Sequence, residues 1–211
     1  MKIVSLNIAR PETRIYGDET IVTGGYKQPV ASAYLRFHQL EGDGQGDEIN
    51  HGGPDKAVNA YAHEHYAYWQ GVFDAPLSSA AFGENLTLAG ALEEDVCIGD
   101  VYAIGAALMQ VSQPRVPCFK LNLKHSKKHL VQWVRATGHT GFYLRVLREG
   151  LIESGANAKL IDRDSGVTIA DVNSIYYSRT LDAAAVDRAL AVEALAGAAR
   201  ALIERRLQGP I

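Results

Sequence analysis

Short runs of alternating apolar and polar residues recur along the first three quarters of the chain. This pattern is typical of half-buried strands, and apolar side chains occupy every second position from Ala31 to Phe37. We predict strands at residues 1–9, 31–40, 85–88, 101–107, 108–112 and 140–148, and a turn followed by a strand at 150–159. Because the connections are irregular and no βαβ alternation appears, the pattern favours a barrel over a doubly wound sheet.

Two long segments depart from this alternation. Residues 41–55 are rich in glycine and contain five carboxylates and Pro54, so we predict a loop without regular structure. In residues 56–72 the side chains of Tyr61, His65 and Trp69 fall near a 3.6-residue period, which predicts one amphipathic helix. A further helix is predicted at residues 126–137, ending before Gly138.

The last part of the chain has a helical pattern throughout. Residues 161–166 are a predicted linker, and three short Ala-rich helices follow. Thr168 and Asp182 are suitable N-caps for the first two helices, and Gly197 is a break before the third. We therefore expect a small helical unit after the barrel.

Length and composition fit a packed globular protein. The chain has 211 residues, of which 47% are hydrophobic and 21% charged, and its mean hydropathy is −0.09. This composition excludes a disordered, collagen-like or coiled-coil chain, and no apolar run reaches the roughly 18 residues that span a bilayer. The first residues lack the apolar segment of a secretory signal, so we expect a cytoplasmic protein without a membrane partner.

Charge is unevenly distributed along the sequence. The net charge is −3, which argues against binding to a nucleic-acid polymer. Residues 101–148 nevertheless contain eight Lys and Arg side chains and no Asp or Glu. This segregation favours a binding site for an anion, although residues 124–128 are equally well interpreted as a solvated helix face.

The sequence around Cys118 carries the sharpest chemical signal. Pro114 and Pro117 restrict the backbone on either side of Arg115, and Arg115 and Lys120 flank the thiol. Cationic neighbours favour the thiolate, which is the form that acts as a nucleophile or metal ligand. The alternative is that Cys118 is a small buried hydrophobe.

Cys97 has a different sequence context. It lies between Val96 and Ile98 and follows acidic residues, so we predict a thiol in the core. Two cysteines are too few for a disulfide framework or a metal site made of cysteine alone.

Residues 51–56, HGGPDK, precede the predicted helix at 56–72. Glycines before a helix leave backbone N–H groups available to an anion, and Lys56 adds a positive charge. His63 and His65 are two positions apart and would point to different helix faces, so they do not form a zinc pair. His65 either reaches inward to a site or is a core histidine.

Residues 82–86, FGENL, place two polar side chains after a glycine at a strand entrance. Glu84 could orient a histidine or lysine, and Asn85 could bind a ligand, but a plain turn explains both. The motifs of serine hydrolases, P-loop proteins and dinucleotide-binding folds do not occur.

Taken together, three separated segments resemble the MOSC-domain family and specifically its YiiM-like branch, which is linked to resistance against 6-N-hydroxylaminopurine. These segments are HGGPDKAVNAYAHEHYAYW at 51–69, FGENL at 82–86 with CIGD at 97–100, and VSQPRVPCFKLN at 111–122.

The resemblance covers about Gly24 to Ile161, and the helices after it resemble the small C-terminal helical domain of the same branch. It implies a fold that is mainly β with helices. We predict a MOSC-type β-barrel at residues 1–163 and a three-helix C-terminal subdomain at residues 167–211.

The resemblance also implies a molybdenum cofactor, molybdopterin, in which an anionic phosphorylated pterin holds the metal through a dithiolene. Cys118 occupies the family's cysteine position and is assigned as a catalytic residue and the metal ligand, since a soft thiolate suits a sulfur-rich metal centre. His65 or His51 is assigned as the catalytic proton donor. The residues assigned to cofactor binding are Lys56, Glu84, Asn85, Gln113, Arg115, Lys120 and Asn122.

The implied reaction is the reductive removal of an N-hydroxyl group from a small-molecule substrate such as 6-N-hydroxylaminopurine. The sequence has no flavin or nicotinamide fingerprint and too few cysteines for an iron–sulfur cluster, so we expect a separate electron-donating reductase. Two alternatives retain Cys118: a carrier of cofactor or persulfide sulfur, and a thiol enzyme with His51 or His65 as base. The Ala- and Leu-rich C-terminal helices are compatible with a homodimer.

Overall fold

The computed structural model describes residues 1–209, so residues 210 and 211 of the predicted helical subdomain lie outside it. An eight-stranded sheet forms the centre of the molecule. In spatial order its strands are β12 (Lys159–Asp162), β8 (Val101–Ile104), β9 (Ala107–Pro114), β10 (Phe142–Arg148), β6 (Val58–Ala62), β7 (Leu86–Ala89), β1 (Lys2–Ile8) and β4 (Gln28–Val30). Two smaller sheets pair β11 (Gly150–Glu153) with β5 (Ser32–Leu35), and β2 (Glu12–Tyr16) with β3 (Glu19–Thr23).

The large sheet curls into a half-barrel. β6 and β7 run parallel, and the other neighbouring strands run antiparallel. The terminal amine of Met1 donates to the Ala158 carbonyl at 3.2 Å, and the Ile3 amide donates to the Ala156 carbonyl at 2.9 Å. Since residues 156–158 lead directly into β12 at the opposite side of the sheet, these bonds draw its two sides together. The predicted fold class, mainly β and barrel-like, is confirmed.

The interior of the half-barrel is filled by large apolar side chains. Leu6, Leu86, Met109 and Phe142 are fully buried there. Burying each such side chain contributes roughly 1.5–3 kcal/mol to stability. Apolar residues of the C-terminal helices belong to the same contiguous core, so those helices complete it.

Within residues 1–209, seven α-helices accompany the strands. They are α1 (Glu48–His51), α2 (His65–Phe73), α3 (Lys120–His125), α4 (Leu130–Thr137), α5 (Ile169–Tyr177), α6 (Ala183–Ala191) and α7 (Gly197–Gln208). The three C-terminal helices and both of their predicted caps are confirmed, because Thr168 forms a capping box with Asp171 and Asp182 accepts a hydrogen bond from the Ala184 amide. Within residues 1–209, no helix combines the length and apolarity needed to cross a membrane.

The prediction of one helix over residues 56–72 is wrong. Residues 58–62 form strand β6, and helix α2 begins only at His65. All five residues of β6 are buried, because the strand lies between β10 and β7 inside the sheet. A strand buried on both faces shows no alternation of apolar and polar residues, so its apolar run was indistinguishable from the start of a buried helix.

The prediction that residues 41–55 contain no regular structure is also wrong in part. One helical turn, α1, forms in this segment, and the Asp47 carboxylate caps it by accepting from the Asn50 amide at 3.1 Å. A 3₁₀ turn follows at Pro54–Lys56. The acidic and glycine-rich composition therefore hides a capped turn that places His51 and Lys56.

Candidate functional site

A pocket is enclosed by segments that lie far apart in the sequence. Its wall includes the β2–β3 hairpin, two glycine-containing segments at residues 24–27 and 44–46, and residues 115–124 around the start of α3. It contains about 780 Å³ of empty space, including its open mouth. A concave site of this kind is the usual place for a small organic ligand to bind.

Cys118 lies in this pocket, on the loop between β9 and α3. The thiol is half-buried and not part of a disulfide. The loop is fixed at both ends, because the Arg115 amide donates to the Gly141 carbonyl at 3.0 Å and the Leu121 amide donates to the Cys118 carbonyl at 3.1 Å. The prediction that Arg115, Cys118 and Lys120 share one restricted segment agrees with this placement.

Cys97 is positioned differently. It is 3% exposed, and its backbone amide donates to the Asp100 carboxylate at 3.0 Å. Burial, and then the charge of Asp100, raise the pKa of the Cys97 thiol. The prediction that Cys97 belongs to the core is confirmed.

The charge lining the pocket has one sign. Its basic side chains are Lys27, Lys56, Arg115, Lys120 and Lys124. Among residues 1–209, no Asp or Glu side chain lines the pocket. Lys27 forms a buried ion pair with Asp43, and within the described chain the other four cations have no carboxylate partner. An anion entering this pocket would meet uncompensated positive charge.

Two buried polar atoms in the wall have no hydrogen-bond partner within the described residues. One is Nη1 of Arg115, whose residue is 8% exposed, and the other is Oδ1 of Asn59, whose residue is 9% exposed. The Asn59 amide nitrogen donates to the Gly83 carbonyl at 3.4 Å, which fixes the orientation of the carboxamide. Buried donors and acceptors are rarely left unmatched, so a ligand with an acceptor and a donor fits these two positions.

His51 lines the same pocket but differs from the other basic residues. Burial, and then the nearby charges of Arg115 and Lys120, lower the pKa of His51 to about 4. Its imidazole is therefore neutral near pH 7. In this state it can accept a proton or a hydrogen bond but has no acidic proton to give.

The structure brings six of the predicted site residues together around the pocket. These are His51, Lys56, Asn85, Arg115, Cys118 and Lys120. The Asn85 side chain is held by its neighbours. Its carboxamide nitrogen donates to the Asp43 carboxylate at 2.8 Å, and its carboxamide oxygen accepts from the backbone N–H of Asn59 at 3.1 Å. The buried Asp43 thus fixes both Lys27 and Asn85 in the wall.

His65, which was assigned as a proton donor, is not among the residues that line the pocket. It is 7% exposed and lies at the start of α2, where Nε2 is 2.6 Å from the Glu93 carboxylate. Its ring stacks on His139 with 3.7 Å between centroids. Because residues 58–62 form a strand instead of a helix, His65 lies beyond the end of β6 and not on the pocket wall.

Three residues assigned to cofactor binding also lie outside the wall. Glu84 is fully buried and accepts hydrogen bonds from the Phe82 amide at 3.1 Å and the Thr87 hydroxyl at 2.9 Å. Gln113 is buried in β9. Asn122 connects α3 to α4, because it donates to the Lys128 carbonyl and accepts from the Val131 amide.

The anion site predicted at a helix start after residues 51–56 needs correction too. A 3₁₀ turn and strand β6 follow these glycines, so no α-helix dipole points at the pocket there. Lys56 does line the pocket, with its ammonium group donating to the Asn50 carbonyl at 2.6 Å.

Sequence reasoning missed Lys27, Asn59, Lys124 and Tyr143, all of which line the pocket. Lys124 belongs to the basic run that was equally well interpreted as a solvated helix face, and Asn59 lay inside the wrongly predicted helix. Burial raises the pKa of Tyr143, which lies near enough to Arg115 and Cys118 for their charges to affect it. The excess of basic residues over 101–148 was the one signal that pointed towards Lys124.

The donor set bears on whether a metal fits this pocket. Residues 1–209 contain no group of three or more His, Cys, Asp or Glu side chains arranged to hold a metal ion. The pocket offers one soft ligand, the Cys118 sulfur, beside several cations. This set fits a metal that arrives on an anionic organic carrier and takes a single ligand from the protein.

Comparison with known proteins places this geometry in a family. The model of the MOSC domain matches residues 47–159, and the model described as YiiM-like, 3-alpha helix domain, matches residues 167–209. The protein YflK of Bacillus subtilis (strain 168) is 48% identical over 201 residues, covering 94% of this chain and 91% of YflK.

Two further comparisons add structure and a named activity. The crystal structure of YiiM from Geobacillus stearothermophilus superposes with a TM-score of 0.83 at 40% identity, covering 98% of both chains. A protein of Gibberella moniliformis (strain M3125 / FGSC 7600) named "Reductase" is 37% identical over 129 residues, which cover 56% of this chain and 22% of that protein. The chain belongs to the MOSC family, in its YiiM-like branch.

Proposed function

We propose that this protein binds a molybdenum cofactor of the molybdopterin type and reduces N-hydroxylated small molecules, with base analogues such as 6-N-hydroxylaminopurine as substrates. The observation that carries the proposal is the pocket itself. It combines an accessible thiol, Cys118, with four cations that have no carboxylate partner within residues 1–209.

Each part of the pocket has a place in this proposal. The cofactor is anionic, and charge-assisted hydrogen bonds to its phosphate are roughly twice as strong as neutral ones. Arg115 Nη1 and the ammonium groups of Lys56 and Lys120 would hold that charge. Asn59 Oδ1 would accept a hydrogen bond from an N–H of the pterin. The Cys118 thiolate would complete the metal's sulfur ligands.

When bound, the cofactor supplies two electrons to the substrate. The overall reaction is R–NH–OH + 2 e⁻ + 2 H⁺ → R–NH₂ + H₂O, in which the N–O bond breaks and the hydroxyl leaves as water. The chain's own residues bind the cofactor, keep the substrate at the thiol side of the pocket, and deliver a proton to the leaving oxygen.

The electrons need a second source, for which we propose a separate reductase as partner. A fungal relative named "Reductase" supports this, because the region similar to this chain makes up 22% of its length. In that protein, most of the polypeptide lies outside the similar region.

Activity of the loaded protein tests the proposal. Protein from cells that make the cofactor should reduce 6-N-hydroxylaminopurine with a chemical electron donor, and Cys118→Ala should lose at least about 100-fold in rate. Cys97→Ala is the matched control, since it removes the other thiol and should keep the activity. Equal rates for the wild type and Cys118→Ala would refute the assignment of the thiol.

The alternative of a sulfur carrier predicts another outcome for the same protein. A carrier would contain cyanide-labile sulfur on Cys118 and neither molybdenum nor pterin. Finding labile sulfur without metal in the wild type would favour the carrier over the reductase.

A further inference from the structure

We infer that Lys124 is the proton donor of this pocket, delivering its proton to the oxygen that leaves the substrate. The inference rests on the proposed function and deepens it. It is carried by the way two backbone carbonyls hold the Lys124 ammonium group at the pocket wall.

Three segments of the chain, namely α3, residues 25–26 and Ala80, fix the position of the Lys124 side chain. Lys124 lies in the last turn of α3, and its side chain lines the pocket. Its Nζ donates to the Gly25 carbonyl at 2.9 Å and to the Ala80 carbonyl at 2.6 Å. Nζ also lies 5.3 Å from the centre of the Tyr26 ring, another part of the pocket wall.

These two bonds leave one proton free. An ammonium group has three N–H bonds, and a neutral amine has two. Because carbonyl oxygens can only accept, both hydrogens of the neutral amine satisfy them, and the third proton of the ammonium is the one that can leave. Lys124 can therefore give up a proton without breaking either bond that holds it.

The surroundings of Lys124 make its third proton more acidic than that of an ordinary lysine. Burial is the main cause, and Arg115 and Lys27 add to it, whereas Glu84 opposes them. Together they lower the pKa of Lys124 to about 8. His125, the next residue, donates from Nε2 to the Ala81 carbonyl at 2.7 Å and has a lowered pKa, again mainly through burial. At pH 7 Lys124 is thus mostly protonated and close to the range suited to acid catalysis.

Two histidines, Lys27 and Arg115 are less suited to this role. His51 is neutral near pH 7, and His65 is held by Glu93 away from the wall. Lys27 is committed to Asp43 in a buried ion pair. Arginine does not release its proton in proteins, so Arg115 can hydrogen-bond to an anion but cannot transfer a proton to the substrate.

The proton balance is simple. Lys124 supplies one of the two protons to the leaving oxygen as the N–O bond breaks and water forms. The second proton, which the substrate nitrogen takes up, comes from solvent. The neutral amine then regains a proton from solvent at the open mouth of the pocket. The bound cofactor would supply the two electrons, and the proposed reductase partner would replace them.

The test compares Lys124→Arg with wild type, because arginine keeps the charge but gives up no proton near neutral pH. In loaded protein we expect kcat to fall by about 100-fold or more, within the usual contribution of a general acid. The wild-type rate should decline above pH 8, and this decline should be absent in the variant. Lys128→Met, which removes an exposed charge four residues away, is the control and should match wild type.

A second readout does not depend on activity. Competitive acetylation of cofactor-free protein by acetic anhydride, followed by peptide mass spectrometry, measures the ionisation of individual lysines. Lys124 should ionise near pH 8, below the ordinary range of a lysine side chain. Sulfate affinity, measured by calorimetry, should stay within about threefold of wild type in Lys124→Arg because the charge is retained. Lys124→Met serves as a second variant in case Lys124→Arg does not fold.

The outcomes separate the two proposals. An active wild type with an equally active, folded Lys124→Arg variant overturns the inference and leaves the proposed function standing. Ionisation of Lys124 in the ordinary lysine range also overturns the inference. A loaded wild type that reduces no N-hydroxylated substrate overturns the proposed function and the inference with it.

Discussion

The pocket and the buried pair of His65 and Glu93 contrast in how their charges are matched. At the buried pair, one Glu93 oxygen is 2.6 Å from His65 Nε2 and the other accepts from the Gly141 amide at 2.7 Å. In the pocket, Arg115 Nη1 has no partner within the described residues. The two regions meet at one residue, because the Gly141 carbonyl accepts from the Arg115 amide.

This difference indicates a structural role for the buried pair and a binding role for the pocket. Matched buried groups stabilise the fold, and removing one partner leaves the other unsatisfied. Unmatched buried charge is unfavourable in the free protein, and where it lines an open pocket it suits an anionic ligand. Substitutions in the two regions should therefore have opposite effects on stability and on anion binding.

The largest expected effect is on stability, at the buried pair. Glu93→Leu leaves His65 Nε2 and the Gly141 amide without their partner, which should cost about 1–3 kcal/mol in the free energy of unfolding for each unsatisfied group. Urea denaturation measures this loss, and the exposed neighbour Glu94→Leu should change it by less than about 0.5 kcal/mol. A Glu93→Leu protein as stable as wild type would show that the pair is not structural.

Arg115→Met should show the reverse behaviour. Losing the charged hydrogen bonds should weaken sulfate binding by about 10- to 100-fold in isothermal titration calorimetry. Stability should be unchanged or higher, because Arg115 Nη1, which has no partner within residues 1–209, is replaced by part of an apolar side chain of similar length. Arg179→Met, on the exposed surface, is the matched control. A large loss of stability with intact sulfate binding would contradict the contrast between the two regions.

The smallest effects concern two histidines, one from each region. Mainly through burial, the pKa values of His51 and His139 are both lowered to about 4 from 6.5. The unfolded chain therefore binds their protons first, and stability should fall as the pH drops from about 6.5 towards 4. Urea midpoints at pH 7 and pH 5 should lie closer together in both His51→Gln and His139→Gln than in wild type.

Sulfate binding distinguishes the same two variants. Sulfate stays a dianion between pH 6 and 4, and protonation of His51 adds a positive charge to the pocket wall in that range. The affinity of wild type and His139→Gln should rise with acidification, and the rise should be weaker in His51→Gln. The same rise in all three proteins would place His51 outside the site.

The fold was predictable where the signals are local. Thr168 and Asp182 cap helices through contacts within three residues, so the sequence pattern identified them. Strand β6 was not predictable, because both of its faces are covered by strands from other parts of the chain. Its apolar run contains no information about that covering.

The site divides in the same way. Arg115, Cys118 and Lys120 are close in sequence, and their shared loop was predictable. The position of the Lys124 side chain depends on hydrogen bonds to Gly25 and Ala80, which are 99 and 44 positions away. The position of the Lys27 side chain likewise depends on its ion pair with Asp43. His65 was assigned to the site from a motif, but in the fold it lies beyond the end of β6, next to Glu93.

The most direct test of the account is the molybdenum and pterin content of protein purified from cells that make the cofactor. Metal analysis and pterin fluorescence should give about one molybdenum and one pterin per wild-type chain, as expected for one thiolate ligand per metal. Cys118→Ala should contain little molybdenum, whereas Cys97→Ala should match wild type. Equal molybdenum in Cys118→Ala and wild type, or none in either, would contradict the claim that this pocket holds the cofactor through Cys118.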